Sequence, residues 1–168
     1  MDQFKRIVQE YHPILFKIGR AYTDNEFDFQ DLYQEMLIQL WRAMPSFEEQ
    51  AKLSTFIYRV ALNTALTYKR GRDRRRRRFL FGKFPKDVAE DNQVAHKQEK
   101  EQQIDLLYEV IRSLKPENRS LILLSLEGHS YDQIAEILGI SSSNVGVKLL
   151  RTRKQLSKLL NAKGYANT

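Results

Sequence analysis

The stretch that decides the fold is SYDQIAEILGISSSNVGVKLLRTRK, residues 130–154. Ser130, followed three residues later by Gln133, forms a capping box, the pattern that opens a helix. Gly139 is placed to end that helix in a left-handed conformation, and Ser141 is placed to cap the next helix. A short capped helix, a turn around a glycine and a longer helix together predict a helix-turn-helix unit.

The second helix of this unit carries side chains suited to reading DNA. In the helix-turn-helix arrangement this helix enters the major groove, with its N-terminal residues at the base edges. Its exposed side is expected to present donors to bases and phosphates, namely Ser142, Ser143, Asn144, Lys148, Arg151 and Lys154. A plain helical hairpin with a basic surface is the alternative, and the capping box, the glycine and the basic helix together favour DNA binding.

Helical periodicity extends outward from this unit. Apolar stripes at three- and four-residue spacing over 104–114 and 121–126 predict two preceding helices, the second begun by Pro116. Further stripes predict three helices upstream, from about residue 2 to 22, from near 29 to before 45, and from after 54 into a basic run. We expect Pro13 to kink or split the first of them.

These elements predict an all-α protein of two small helical domains joined by a flexible linker. The first domain covers residues 1–78, the linker 79–100, and the second, a helix-turn-helix domain, 101–163. The linker assignment depends on the polar sequence DVAEDNQVAHKQEKE at 87–101, which has no apolar period. We expect the short apolar patch before it, at 79–84, to pack on its own domain.

Composition excludes several kinds of protein. The 168 residues contain no cysteine, which excludes disulfide frameworks, cysteine-ligated zinc, iron–sulfur clusters and thiol catalysis. No apolar run approaches the roughly 18–20 residues of a membrane span, and the N-terminus has no signal-peptide core. His12, His96 and His129 have no metal-ligand spacing, and no glycine-rich phosphate loop occurs. We therefore expect a cytoplasmic chain with no cofactor, metal, membrane insertion or catalytic centre.

The charge is concentrated in one short segment. The chain has a net charge of +7, and residues 69–78, KRGRDRRRRR, alone account for a net +7. So dense a block repels itself and favours a polyanion, so nucleic acid is the leading partner. A solvated, disordered basic tract is the alternative.

Two more stretches carry surfaces of different chemistry. In FQDLYQEMLIQLWRAMPSF, residues 29–47, Asp31, Gln34 and Glu35 share one helix face that would suit a basic or polar protein partner, although a solvated face would have the same spacing. STFIYRVALNTALTYKR, residues 54–70, mixes aromatic, amide and basic side chains, as binding of single-stranded nucleic acid requires. The candidates there are Phe56, Tyr58, Asn63, Tyr68, Lys69 and Arg70, of which Phe56 could equally be a core residue.

Taken in order, these stretches resemble a bacterial RNA polymerase sigma factor of the extracytoplasmic-function group. DLYQEMLIQLWRAMPSF (31–47) resembles the region that docks on the polymerase clamp helices, and TFIYRVALNTALTYKR (55–70) the region that melts and reads the −10 element. LKPENRSLILLSLEGHSYDQIAEILGISSSNVGVKLLRTRKQL (114–156) resembles the domain that reads the −35 element. The resemblance covers residues 2–76 and 101–160.

The resemblance implies roles for particular residues of the first domain. Core polymerase would be bound by Asp31, Leu32, Gln34 and Glu35. Phe47 and Asn63 fall where the family captures a base flipped from the non-template strand, and Phe56 falls where many members have a tryptophan of the melting wedge. The −10 set is completed by Tyr58, Tyr68, Lys69 and Arg70. Contacts to duplex phosphates would come from Arg72, Arg74, Arg75, Arg76, Arg77 and Arg78.

In the second domain, the resemblance implies that the last helix reads the −35 element through Ser142, Ser143, Asn144, Val147, Lys148 and Arg151. Gly146 and Val147 stand where other members often aim polar side chains at bases, so base reading falls mainly to Asn144, Lys148 and Arg151.

The implied function is that of a sigma factor, which binds core RNA polymerase, recognises a promoter as duplex at −35 and single strand at −10, and opens the strands. An anti-sigma factor is the further partner that the family implies. A stand-alone helix-turn-helix regulator, which would need a dimer and a palindromic site, is the alternative. A nucleic-acid-processing enzyme with a basic arm is the third, and it would need a catalytic site that the sequence does not reveal.

Overall fold

The computed structural model describes residues 1–80 and 99–164, the last two residues of the first range by their backbone only. The helices are α1 (Asp2–Tyr22), α2 (Glu26–Ala43), α3 (Leu53–Leu80), α4 (Glu99–Ser113), α5 (Pro116–Leu126), α6 (Tyr131–Leu138) and α7 (Ser142–Ala162), with a 3₁₀ turn at Met44–Ser46. No strand occurs within the described ranges. The predicted all-α fold class is confirmed.

Helices α1, α2 and α3 pack against one another as the first domain. Leu15, Ile18, Leu32 and Ile57 are fully buried between them. Of the two alternatives expected at Pro13, a kink or a split, the split does not occur, because α1 continues through the proline. Buried residues lie on both sides of the proline, so packing holds both halves in one helix although proline removes a backbone hydrogen bond.

Two boundaries differ from the sequence prediction. Helix α2 begins three residues earlier than expected, since Asn25 caps it by accepting a hydrogen bond from the backbone N–H of Asp28 at 2.9 Å. Helix α3 extends through the basic run to Leu80, so the run is helical and the helix passes the expected domain end at residue 78. The predicted linker largely falls on residues 81–98, which lie outside the described residues.

Helices α4 to α7 form the second domain, and its helix-turn-helix unit is confirmed. Ser130 accepts from the N–H of Gln133, whose side chain accepts from the N–H of Ser130, so the predicted capping box is complete. Gly139 ends α6 with a φ of 68°, a left-handed conformation that a residue with a Cβ adopts at a cost. Ser141 caps α7 by accepting from the N–H of Asn144.

The two domains pack together, with α1 against α4 and α5, and α3 against α5 and α6. Arg119 of α5 lies at the junction and is only 5% exposed. Its guanidinium donates hydrogen bonds to three backbone carbonyls, those of Arg112 and Leu114 in its own domain and that of Ala21 in the other. The Tyr22 hydroxyl also crosses the junction and donates to the carbonyl of Pro116 at 2.8 Å.

Candidate nucleic-acid interface

The outward side of α3 carries one stripe of aromatic, amide and basic side chains. Phe56, Arg59, Asn63 and Arg70 recur at three-, four- and seven-residue spacing, which aligns them along one face of a helix. Phe56 is half-buried, whereas the other three are exposed. The stripe therefore begins at an aromatic ring and ends in the basic part of the helix.

A second ring joins the beginning of this stripe. The 3₁₀ turn that contains Pro45 directs the chain back after α2, and the N–H of Phe47 donates to the carbonyl of Met44 at 3.0 Å. The ring centroids of Phe47 and Phe56 lie 5.1 Å apart at an interplanar angle of 52°. Asn63 lies on the same face about 10 Å further along the helix, the rise of seven residues.

Part of this face contacts the second domain. Arg59 donates from Nε at 3.0 Å and from Nη2 at 2.6 Å to the carbonyl of Glu136 in α6. Arg70 pairs with Glu117 of α5 at 3.0 Å. The backbone N–H of Glu117 and the Arg70 guanidinium hold the pKa of the Glu117 carboxyl below its ordinary value. Both arginines thus meet acceptors of the second domain.

Tyr58 also belongs to this contact and not to the open face of α3. Its side chain is 7% exposed, and its ring meets the ring of His129 edge-on at 5.0 Å between centroids. Burial raises the pKa of Tyr58 to about 12, so its phenol is neutral at physiological pH. In this packed arrangement the second domain covers Tyr58, so the predicted −10 contact of Tyr58 requires the two domains to separate.

Polar contacts join α2 to α3. The hydroxyl of Tyr68 donates to the carboxylate of Asp31 at 3.0 Å. One turn earlier on α2, the buried carboxylate of Asp28 pairs with Arg72. Asp31, predicted to bind polymerase, therefore touches Tyr68, predicted to bind the −10 element. Arg72, predicted to contact phosphates, is held by its ion pair with Asp28.

The basic run, Arg74–Arg78, makes the end of α3 cationic on all sides. Arg74 to Arg78 are all exposed. Successive residues of a helix diverge by about 100°, so five in a row surround the axis. Before the run, Lys69 pairs with Asp73 at 3.2 Å, and its side chain is only 12% exposed.

Helix α7 presents a separate surface in the second domain. Val145, Leu149 and Thr152 are buried on its inner side, whereas Ser143, Asn144, Val147, Lys148 and Arg151 are exposed and Ser142 is half-buried. The helix contains lysines and arginines but no aspartate or glutamate. Its outer side is therefore positively charged, as an element in contact with phosphates requires.

Both domains match models of known protein families. The model of Sigma-70 region 2 matches residues 7–75, which span most of α1 to α3, and that of Sigma-70 region 4 matches residues 104–156, which span most of α4 to α7. The chain belongs to the sigma-70 family. The two matched regions occur in the expected order and together cover most of the sequence.

The relatives are RNA polymerase sigma factors, among them one of the extracytoplasmic-function (ECF) group. The chain is 27% identical over 164 residues to RNA polymerase sigma factor NccH of Alcaligenes xylosoxydans xylosoxydans, covering 94% of this chain and 86% of the relative. It is 27% identical over 161 residues to the ECF RNA polymerase sigma-E factor of Escherichia coli K12, covering 89% and 82%. The sigma factor RpoE of Bartonella quintana, solved in complex with the anti-sigma factor NepR, has the same fold, with a TM-score of 0.70, 23% identity and coverage of 96% and 98%.

This sigma factor of the extracytoplasmic-function group directs transcription initiation, as the sequence resemblance implied. The alternative function, that of a stand-alone helix-turn-helix regulator, is thereby excluded. Sigma factors are generally not enzymes. Among the helices of residues 1–80 and 99–164, none combines the length and the apolar character that crossing a membrane demands.

One of the residues predicted on the α2 face of this sigma factor does not lie on that face. Leu32 was predicted to bind polymerase, but it is 0% exposed and lies beneath α2 in the core. Gln34 is exposed, and Glu35 is half-buried and accepts a hydrogen bond from Gln39 at 2.7 Å. Leu32 therefore supports the face from below and contributes no surface to it.

The sequence interpretation missed Arg59 and Arg119. Arg59 lies between Phe56 and Asn63 on the α3 stripe, and helical spacing could have revealed it. Arg119 gave no such signal, because its acceptors are backbone carbonyls that only the packing of the domains brings together.

Proposed function

We propose that each surface of this sigma factor has its own role in initiation. The α2 face of Asp31, Gln34 and Glu35 binds core RNA polymerase. The outer stripe of α3 captures the −10 strand, and the basic end of α3 holds duplex phosphates. Helix α7 reads the −35 element, and residues 1–78, 79–100 and 101–163 serve as first domain, linker and second domain.

The contact between the rings of Phe47 and Phe56 is the observation that carries this proposal. Flipping a base out of a duplex costs a few kcal/mol. Stacking of a base on an aromatic side chain contributes about 1–3 kcal/mol and can offset that cost. A pair of rings at the start of a stripe that continues with the exposed amide of Asn63 supplies both stacking and hydrogen bonding.

The chemistry of the other surfaces supports their assignments. The carboxylates on α2 would repel DNA phosphates, and together with the neutral amide of Gln34 they suit a basic or polar protein surface. Helix α7 has the opposite character, and its capped N-terminus and helix-turn-helix setting suit entry into the major groove. The chain then chooses and opens promoters while the polymerase supplies the catalytic groups.

An anti-sigma factor and a cytoplasmic location complete the proposal. A solved relative of the same fold, RpoE of Bartonella quintana, is in complex with an anti-sigma factor. This chain would be regulated likewise. A polymerase subunit of this kind works where the genome is transcribed.

Permanganate footprinting of the −10 region tests the proposal with reconstituted holoenzyme. Phe47→Ala and Asn63→Ala should each reduce strand opening about five- to 150-fold, corresponding to the loss of roughly 1–3 kcal/mol. Binding of the closed promoter should change much less. Asn161→Ala, which removes an exposed amide at the far end of α7, is the matched control. Normal opening in both α3-side variants would refute the capture site.

A further inference from the structure

We infer that an apolar patch on α7 and α6 recognises the 5-methyl groups of thymines in the −35 element. The patch consists of Tyr131, Gly146, Val147 and Leu150. The inference rests on the proposed reading of the −35 element by α7. It names the chemical group on the DNA that this reading recognises.

Val147 lies at the middle of the outward side of α7. At 3.6 residues per turn, it is about 190° around the axis from the centre of the buried seam formed by Val145, Leu149 and Thr152. Its side chain is 51% exposed. The position that points most directly away from the domain core is thus occupied by a branched aliphatic residue.

Tyr131 and Leu150 continue the apolar surface to one side of Val147. A Cβ atom at Gly146 would lie 3.3 Å from the ring of Tyr131, so the missing side chain lets the ring lie against α7. Leu150 is one turn from Gly146 and three residues from Val147, and it is 57% exposed. Tyr131, from the first turn of α6, is 44% exposed.

The surroundings of the patch favour DNA as its occupant. Lys148 and Arg151 lie on the other side of Val147, and α7 has no carboxylate. Cations beside an apolar centre suit a groove lined with phosphates. Of the groups that base pairs present in the major groove, the thymine 5-methyl is the apolar one.

Apolar contact gives Val147 a part in reading the −35 element. Gly146 and Val147 were expected to read bases less than Asn144, Lys148 and Arg151, because they stand where other family members often have polar side chains. The exposed patch shows that they can contribute by apolar contact instead. Arg151, one turn from Val147, then supplies charge or a hydrogen bond beside the methyl group.

The test uses holoenzyme reconstituted with the full chain and promoters selected by it from genomic fragments. Each thymine in the −35 footprint is replaced singly by deoxyuridine, which removes only the methyl group. We expect one or two positions to lose about fourfold in affinity, the factor for one buried methyl. At these positions, Val147→Ser or Leu150→Ala should abolish the difference between thymine and uracil. Leu126→Ala, an exposed leucine outside α7, should keep it.

Two outcomes would overturn the inference. A −35 footprint in which no deoxyuridine substitution lowers affinity, or which contains no thymine, removes the proposed ligand. If Val147→Ser and Leu150→Ala leave the thymine–uracil difference intact, the methyl is read elsewhere. Lys148→Ala and Arg151→Ala test separately whether α7 reads the −35 element. If it does, both variants weaken binding to thymine and uracil promoters alike, even when the methyl inference fails.

Discussion

Arg119 joins the two domains through a buried guanidinium. It is a buried cation whose hydrogen-bond acceptors are neutral carbonyls, with the ring of Tyr22 at 5.5 Å from its guanidinium carbon. Burial lowers the pKa of Arg119 from its ordinary value, and the carbonyl oxygens compensate the retained charge. Loss of the guanidinium would leave three backbone carbonyls without that donor.

We predict that Arg119→Met lowers the free energy of unfolding by about 2–4 kcal/mol, because methionine keeps the aliphatic stem but donates no hydrogen bonds. Urea unfolding followed by circular dichroism measures the change. Arg153→Met is the control, since Arg153 is exposed and donates to the Ser125 hydroxyl at 2.7 Å. Its effect should stay within about 0.5 kcal/mol. Equal losses in the two variants would contradict the role of Arg119.

For single residues, the sequence predicts the chemical character of a site well but predicts side-chain burial less well. Asn63, Lys148 and Arg151 are exposed as predicted. Leu32 and Tyr58 are not, because their exposure depends on what packs against α2 and α3. A residue's own type and spacing place it on a helix face, but only the neighbouring elements decide whether that face meets solvent.

Among the elements, those with local signals could be predicted and those without could not. The caps of α6 and α7 are complete within a few residues, so Ser130, Gln133, Gly139 and Ser141 were sufficient. The extent of α3 was not predictable in this way. Arginine favours helix formation, but repulsion between the five charges of Arg74–Arg78 opposes it. The sequence therefore left both a helical and an unfolded run open.

The helical basic run leads to a prediction about the salt dependence of promoter binding. Replacing Arg74–Arg78 with glutamine should weaken holoenzyme binding by similar factors at unrelated promoters. The log–log salt slope should fall by about 0.9 for each phosphate that the variant no longer neutralises. Because the five side chains surround α3, they cannot all reach one backbone, and we expect a decrease of a few units at most.

Binding to two unrelated cognate promoters over a salt series provides the measurement. Replacing Lys158, on α7 outside the run, with glutamine is a control for the removal of one exposed cation. If the slope is unchanged, or if binding to a single promoter is weakened selectively, the run does not act through phosphates.

For the molecule as a whole, charge complementarity links the domains. Lys17 pairs with Glu127 at 2.6 Å, Arg20 with Asp105 at 2.6 Å and Arg70 with Glu117 at 3.0 Å, each cation belonging to the first domain and each carboxylate to the second. Arg59 adds its bonds to the Glu136 carbonyl. Acceptors of the second domain thus occupy the Arg59 and Arg70 side chains of the α3 stripe.

If the α3 stripe binds the −10 strand as we propose, the packed arrangement competes with that binding for Arg59 and Arg70. Arg59 and Arg70 cannot reach a DNA strand while they contact α6 and α5. The contribution of Glu117 to packing also depends on pH. The backbone N–H of Glu117 lowers the pKa of this carboxyl most, and Arg70 across the junction lowers it further. The contribution of the Arg70–Glu117 pair is therefore present above the ordinary value of 4.5 and is lost as the pH falls through the lowered pKa.

We predict that Glu117→Gln shifts the full chain toward separated domains. An exposed ion pair contributes about 0.2–1 kcal/mol, so the ratio of separated to packed molecules should rise by at most about fivefold.

Because the chain lacks cysteine, dyes can be attached at Q30C and K158C, both exposed positions in different domains, and energy transfer between them reports separation. Glu109→Gln removes a carboxylate that pairs with Lys163 inside the second domain, so it matches the change in charge without touching the junction. Energy transfer should fall for Glu117→Gln and not for Glu109→Gln, and salt should lower it in the parent by screening the bridging pairs. If the two variants behave alike, net charge and not the Arg70–Glu117 contact governs the separation.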